Sequence, residues 1–144
     1  MKKNVTASTS ILINAPASKV WEALTTPSII KQYFFGTNTI TDWKVGRPII
    51  FKGEWEGKTY EDKGTILDFE PGKLLRYSYW SSMSGKEDKP ENYANVSYQL
   101  SEKGNATELV IKQDNIADEK TKEHSLQNWN KVLADLKKLV EKKE

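Results

Sequence analysis

A chain of 144 residues is long enough to bury a core without staples, and 37% hydrophobic with 29% charged residues describes a folded domain with a solvated exterior. Twenty-two basic residues against 20 acidic ones leave a net charge of +2, which gives no electrostatic case for nucleic acid. The absence of cysteine excludes disulfides and thiolate chemistry, and a single histidine, His124, excludes a multi-histidine metal site.

No apolar run approaches the roughly 20 residues that span a bilayer. The start, "MKKNVTASTSILI", is basic, but its apolar part is too short for a secretion signal. A cytoplasmic protein with no membrane insertion is the expectation. No repeat, low-complexity tract or linker divides the chain, so residues 1–144 read as one domain.

The first element is a strand near Val5 to Asn14, with Ala7, Thr9, Ile11 and Ile13 on one face. Ala15-Pro16 ends it, because proline donates no ladder hydrogen bond. Ser18 is the expected N-cap of a short helix that buries Val20 and Leu24, with Trp21 and Ala23 beside them. Pro27 closes this helix and suits the first turn of a second one, capped by Thr26 and carrying Ile29, Ile30 and Tyr33. That second helix runs into three consecutive aromatics, Tyr33, Phe34 and Phe35.

Strands and turns fill the chain from Thr37 to Asn115. In "IIFKGEW", Ile49, Phe51, Gly53 and Trp55 alternate with outward residues, and Glu56-Gly57-Lys58 reads as a hairpin turn. "TYEDKGTILDFE" follows, closed by Pro71-Gly72. Leu75, Tyr77 and Tyr79 share a face of the next strand, Val96, Tyr98 and Leu100 of the one after, and Leu109 and Ile111 of the last. The polar stretch "SSMSGKEDKPEN" between Trp80 and Tyr93 reads as a hairpin end, or as a lid with Met83 as its apolar contact. A long helix from about Asp118 to Lys142 closes the chain, with Leu126, Trp129, Leu133, Leu136 and Val140 at helical spacing and Val132 and Leu139 widening the stripe. Consecutive hairpins make a curved antiparallel sheet with one face to cover, and only this helix is long enough to cover it.

Charged residues offer little chemistry at this level. Glu54, Glu56, Glu61 and Asp62 gather around a hairpin and read as a solvated edge. Asp68 shares a strand face with Ile66 and, if inward, needs a partner such as Arg76; two exposed charges near a turn is the plainer reading. His124 falls off the helix stripe and reads as a boundary residue with no neighbouring nucleophile. Lys137, Lys138, Lys142 and Lys143 complement the helix C-terminus.

Four local patterns occur in a telling order: Ala15-Pro16 through Val20-Trp21-Glu22-Ala23-Leu24-Thr25 to Pro27; the pair Tyr33-Phe34; the turn Val45-Gly46-Arg47-Pro48; and Gly64-Thr65-Ile66-Leu67-Asp68-Phe69-Glu70-Pro71. Asn128-Trp129 with Leu133 and Leu136 follows in the last helix. In these the chain resembles the START-like, or SRPBCC, helix-grip superfamily that includes the birch-pollen-allergen fold. Within it the likeness is to bacterial homologues of the activator of the heat-shock-protein-90 ATPase. Arg47, Asp68 and Asn128 depart from that pattern, where a glycine, a glutamate and a glycine are usual.

The resemblance implies an α+β helix-grip fold: about seven antiparallel strands wrapped around a long C-terminal helix, with two short helices after the first strand. Strand residues facing the helix would line a cavity. The expected ligand site is Tyr33, Phe34, Trp43, Phe51, Trp55, Tyr77, Tyr79, Tyr98, Trp129 and Leu133, with no catalytic residue, metal or cofactor. Phenols suit such a site, since each offers an apolar ring and a hydroxyl that wants a partner. The leading expectation is a monomeric, non-enzymatic binder of a small apolar or amphipathic molecule. A chaperone-associated interaction module and a cyclase- or hydrolase-like enzyme are the alternatives.

Overall fold

The polypeptide runs through β1 (Val5–Ile13), α1 (Ala17–Thr25), α2 (Pro27–Tyr33), β2 (Asn38–Thr41), β3 (Pro48–Trp55), β4 (Lys58–Glu70), β5 (Leu74–Tyr79), a 3-10 turn (Pro90–Asn92), β6 (Ala94–Lys103), β7 (Ala106–Ile116) and α3 (Glu119–Glu141). These come from a computed structural model that describes residues 5–34, 36–55, 57–81, 87–116 and 118–141, without the Trp55 side chain. Phe35, Glu56 and the Met83 segment lie outside the described residues.

The seven strands form one antiparallel sheet in the order β1-β7-β6-β5-β4-β3-β2. Hairpin connections explain the run from β2 to β7, and β7 then returns beside β1, with Ile11 opposite Leu109 and Thr9 opposite Ile111. Two features interrupt the regular pairing of β4 with β5. Gly64 has no side chain where the Ser78 backbone of β5 presses against it, and a bulge between Ile66 and Asp68 shifts the register. That bulge also settles Asp68. It turns the carboxylate off the inner face, where it forms an exposed pair with Arg76 (Nε to Oδ2 2.7 Å).

Both short helices form as expected, but the first starts earlier than Ser18 predicts. Pro16 stands at the cap with φ −68° and ψ 155°, and its carbonyl accepts from the amides of Lys19 and Val20. Ser18 therefore lies within the first turn and caps nothing. Proline's fixed φ makes it a ready helix entry without a side-chain acceptor. Pro27 opens α2, Thr26 caps it through its backbone alone, and Gly36 at φ +73° ends the turn by donating to the carbonyl of Lys31. The pair covers one end of the sheet with Val20, Leu24, Ile30 and Tyr33, all buried.

The two halves of α3 behave differently, and the sequence explains why. Val132, Leu133, Leu136 and Val140 are buried in the core, each contributing about 1.5–3 kcal/mol by leaving water. Residues 119–128 hold Leu126 as their single apolar side chain and bury none. The C-terminal half is also tied to β1: Thr9 Oγ1 meets Asn130 Oδ1 at 2.6 Å, Lys137 Nζ donates to the Leu12 carbonyl, and the Asn14 amide donates to Glu141 Oε2. Asp118 caps the other end by accepting from the Thr121 amide at 2.8 Å. Among the described residues the rod is thus fastened from Trp129 onward. Among the described residues no helix is long and apolar enough to cross a membrane.

Candidate functional site

Where the polar half of α3 diverges from the sheet, a cavity of about 510 Å³ opens. Phe34 closes it from the end of α2, followed by Thr37; Phe51 and Glu54 come from β3, Tyr60 and Asp62 from β4, Tyr77 and Tyr79 from β5, Val96 from β6 and Gln113 from β7. The opposite wall is His124, Ser125, Asn128, Trp129 and Val132, one face of α3 at helical spacing. Glu54, His124 and Asn128 are exposed, so the cavity reaches solvent on their side.

Its floor is a continuous aromatic lattice. Ring centres of Phe51 lie 5.5 Å from Tyr77 and 5.8 Å from Tyr79, those of Phe34 lie 6.1 Å from Phe51 and 6.0 Å from Trp129, and Tyr98 meets Trp129 at 6.0 Å. Such tilted and edge-on contacts each add about 0.5–1.5 kcal/mol beyond area burial. The lattice holds the walls in place without filling the space between them.

Each phenol has found a partner. Tyr77 and Tyr98 hydroxyls share one hydrogen bond of 2.7 Å, Tyr33 donates to the Ala23 carbonyl at 2.9 Å, and Tyr60 pairs with Thr37 at 2.6 Å. Tyr79 donates to Asp62 Oδ2 at 2.6 Å, and the Trp129 indole N–H donates to Gln113 Oε1 at 2.8 Å. Burial pushes the Tyr33, Tyr77, Tyr79 and Tyr98 phenols well above their ordinary 10.0; at Tyr79 the neighbouring Asp62 charge adds to it. They are neutral hydrogen-bonding groups at neutral pH, not bases. Among the described residues, no three acidic or histidine side chains gather into a metal-binding group.

Of the residues that the sequence nominates, Phe34, Phe51, Tyr77, Tyr79 and Trp129 meet at the cavity. Tyr33, Trp43 and Tyr98 lie in a packed layer behind it with Leu24, Ile30 and Leu75, where only about 10 Å³ is open. Trp43 reaches that layer with its backbone at φ 58°, its ring against Phe69. Leu133 is in the core and not on the cavity wall, and the Trp55 side chain is outside the described residues.

Asp62 overturns one expectation. It is 7% exposed and forms part of the wall, not of a solvated edge. Its place follows from strand parity, since Tyr60, Asp62, Gly64 and Ile66 alternate and Ile66 is wholly buried. Glu61, of opposite parity, is exposed and 3.5 Å from Lys52, as an edge residue should be. His124 is exposed at the rim, where a boundary histidine belongs. Tyr60, Gln113 and Ser125 also line the cavity without having been singled out by the pattern, and Val132, expected only as part of the apolar stripe of the last helix, lines it too.

The two departures at the turn and in the helix fit the fold. Gly46 donates to the Ile66 carbonyl at 2.8 Å while the Arg47 carbonyl accepts from the Ile66 amide, so the turn is held by backbone, and the Arg47 side chain bonds Asp42 outside. Asn128 places a polar side chain at the cavity rim.

Comparison with known proteins agrees with this fold. The family described as "Activator of Hsp90 ATPase homolog 1-like protein" matches residues 14–141. The solution structure of a Cytophaga hutchinsonii protein is 50% identical, with a TM-score of 0.84 over 95% of this chain and 94% of that one. The Aha1 dimer of Colwellia psychrerythraea, 21% identical, has the same fold with a TM-score of 0.75 over 95% and 96% of the two chains. A Mesorhizobium loti protein, 20% identical, reaches 0.79 over 97% and 99%. A search of curated proteins returned no match. The chain belongs to the activator of Hsp90 ATPase homolog 1-like family, built on the helix-grip fold of the SRPBCC superfamily.

Proposed function

We propose that this protein binds a small apolar or amphipathic molecule in the cavity between α3 and the sheet, and does so without catalysing a reaction. The observation that carries the reading is the cavity itself. About 510 Å³ lies within the range of small-molecule sites, and its floor of rings with a few fixed polar groups is the usual composition of one. Neutral phenols already engaged in hydrogen bonds favour recognition over proton transfer.

The test is calorimetric titration of the full chain with a neutral bicyclic alcohol, naphthylethanol, beside native mass spectrometry of gently purified protein. One saturable site is expected in the wild type and none in Asn128→Trp, which fills the rim from an exposed helix position and spares the core. No saturable binding to the wild type, or equal binding to the plugged variant, would remove the proposal. Family membership carries a second reading, activation of a chaperone ATPase. Stimulation of an Hsp90-type ATPase by the plugged variant as strongly as by wild type would favour that reading instead.

A further inference from the structure

The small space of about 10 Å³ behind the cavity floor has walls from both short helices and from β2, β3, β5 and β6. Phe34, Phe51 and Tyr77 border it and the larger cavity alike, so they stand between the two. Of its described walls, all but Phe34 and Trp43 are buried. Thr39 is 4% exposed and lies opposite Phe51 in the β2–β3 register. Among the described residues its Oγ1 is the one buried side-chain polar atom without a hydrogen-bond partner.

Counting hydroxyl hydrogens around this space leaves two without an acceptor. Tyr33 directs its own to the Ala23 carbonyl. Tyr77 and Tyr98 carry one hydroxyl hydrogen each but share a single bond. If Tyr77 donates, the unshared hydrogen is on Tyr98, which borders the small space and not the large cavity; if Tyr98 donates, it is on Tyr77, which borders both. The Thr39 hydrogen is the second. Burying two such donors unpaired is costly.

We infer that this space is a binding site for one ordered water molecule that bridges Thr39 to the Tyr77–Tyr98 pair. The water oxygen accepts from the Thr39 hydroxyl and from the unshared phenol hydrogen. One of its own hydrogens returns to a phenol oxygen, which completes the three bonds usual for a buried water. About 10 Å³ is roughly what one water requires and is too little for an organic molecule. The bridge ties the four-residue edge strand β2 to β5 and β6 and holds Tyr77 in the cavity floor from behind. It needs no ligand in the cavity, and so goes beyond the binding proposal.

A high-resolution crystal structure of the full chain and urea unfolding of Thr39→Val test the inference. The expected density is a single peak within about 3 Å of Thr39 Oγ1 and of the Tyr77 or Tyr98 hydroxyl oxygen. Thr39→Val keeps the shape of the side chain but leaves the water one partner short, so the urea midpoint should fall by about 0.5 M or more. A hydroxyl buried with no partner at all predicts the opposite, because valine would relieve it and raise the midpoint. No peak beside Thr39, a peak out of reach of both phenol oxygens, or a midpoint unchanged or raised overturns the inference. The density decides the matter even if the variant does not fold.

Discussion

Replacing Gly64 by alanine tests the close approach of β4 and β5. A Cβ on Gly64 would lie 1.6 Å from the Ser78 carbonyl oxygen and 2.5 Å from its carbon, whereas real Cβ contacts essentially never fall under 3.0 Å. Because the obstacle is backbone, β4 and β5 must part by about 1.4 Å. Three hydrogen bonds flank this point: Lys63 amide to Trp80 carbonyl at 3.0 Å, Trp80 amide to Lys63 carbonyl at 2.8 Å, and Thr65 amide to Ser78 Oγ at 2.9 Å. Stretched by that much, all three are lost. At about 1 kcal/mol net each, with some overpacking strain, Gly64→Ala should cost about 3–4 kcal/mol. That is a large share of the roughly 5–15 kcal/mol that a domain has. Gly57→Ala is the control: φ is +78° but nothing lies within 4 Å, so only the left-handed backbone penalty of about 1–2 kcal/mol applies. Urea unfolding followed by circular dichroism measures both. A Gly64→Ala loss no greater than that of Gly57→Ala would refute the close-approach argument.

Three further outcomes are expected. Tyr77→Phe or Tyr98→Phe alone orphans the buried hydroxyl of its partner and should cost about 1–3 kcal/mol, while the double variant should cost less than the sum, as a denaturation double-mutant cycle will show. Tyr33, Tyr77, Tyr79 and Tyr98 have native pKa values above the unfolded 10.0. The unfolded chain therefore releases those protons first, so stability is intact below pH 10.0 and falls above it; ultraviolet titration should show these phenols ionising together with unfolding. Glu141 is held below its ordinary 4.5, first by the Asn14 amide and then by Lys137, so its contribution is present above that value and disappears as pH falls through the native one. Glu141→Gln should make the acid limb of stability against pH shallower.

Much of the fold was legible because period and punctuation agree. The two-residue alternation through Ile49, Phe51, Leu75, Tyr77, Val96 and Tyr98 placed each on the inner face, where all are buried. Pro16, Pro27 and Gly72 marked breaks. The bulge after Ile66 was not legible, since nothing in "ILDFE" announces an extra residue, and only coordinates reveal that Asp68 leaves the face. Asp62 was missed for a different reason. An acidic residue among other acids reads as solvated, although its parity with Ile66 already pointed inward. Within the aromatic set, alternation says which rings point in but not whether they meet a neighbour or a hollow. Tyr98 and Tyr33 meet neighbours, and Tyr79 faces the hollow. The deciding feature is the polar composition of residues 119–128, which deprives that half of α3 of an apolar seam.

Nuclear magnetic resonance during addition of naphthylethanol tests most directly whether the space under the first half of α3 admits a molecule. The account predicts saturable shifts of the Trp129 indole N–H, whose acceptor is Gln113, and of the Ser125 and Asn128 amides, with Leu136 and Val140 unmoved. Saturable shifts confined to the outer sheet face, or none along that stretch of helix, would contradict it.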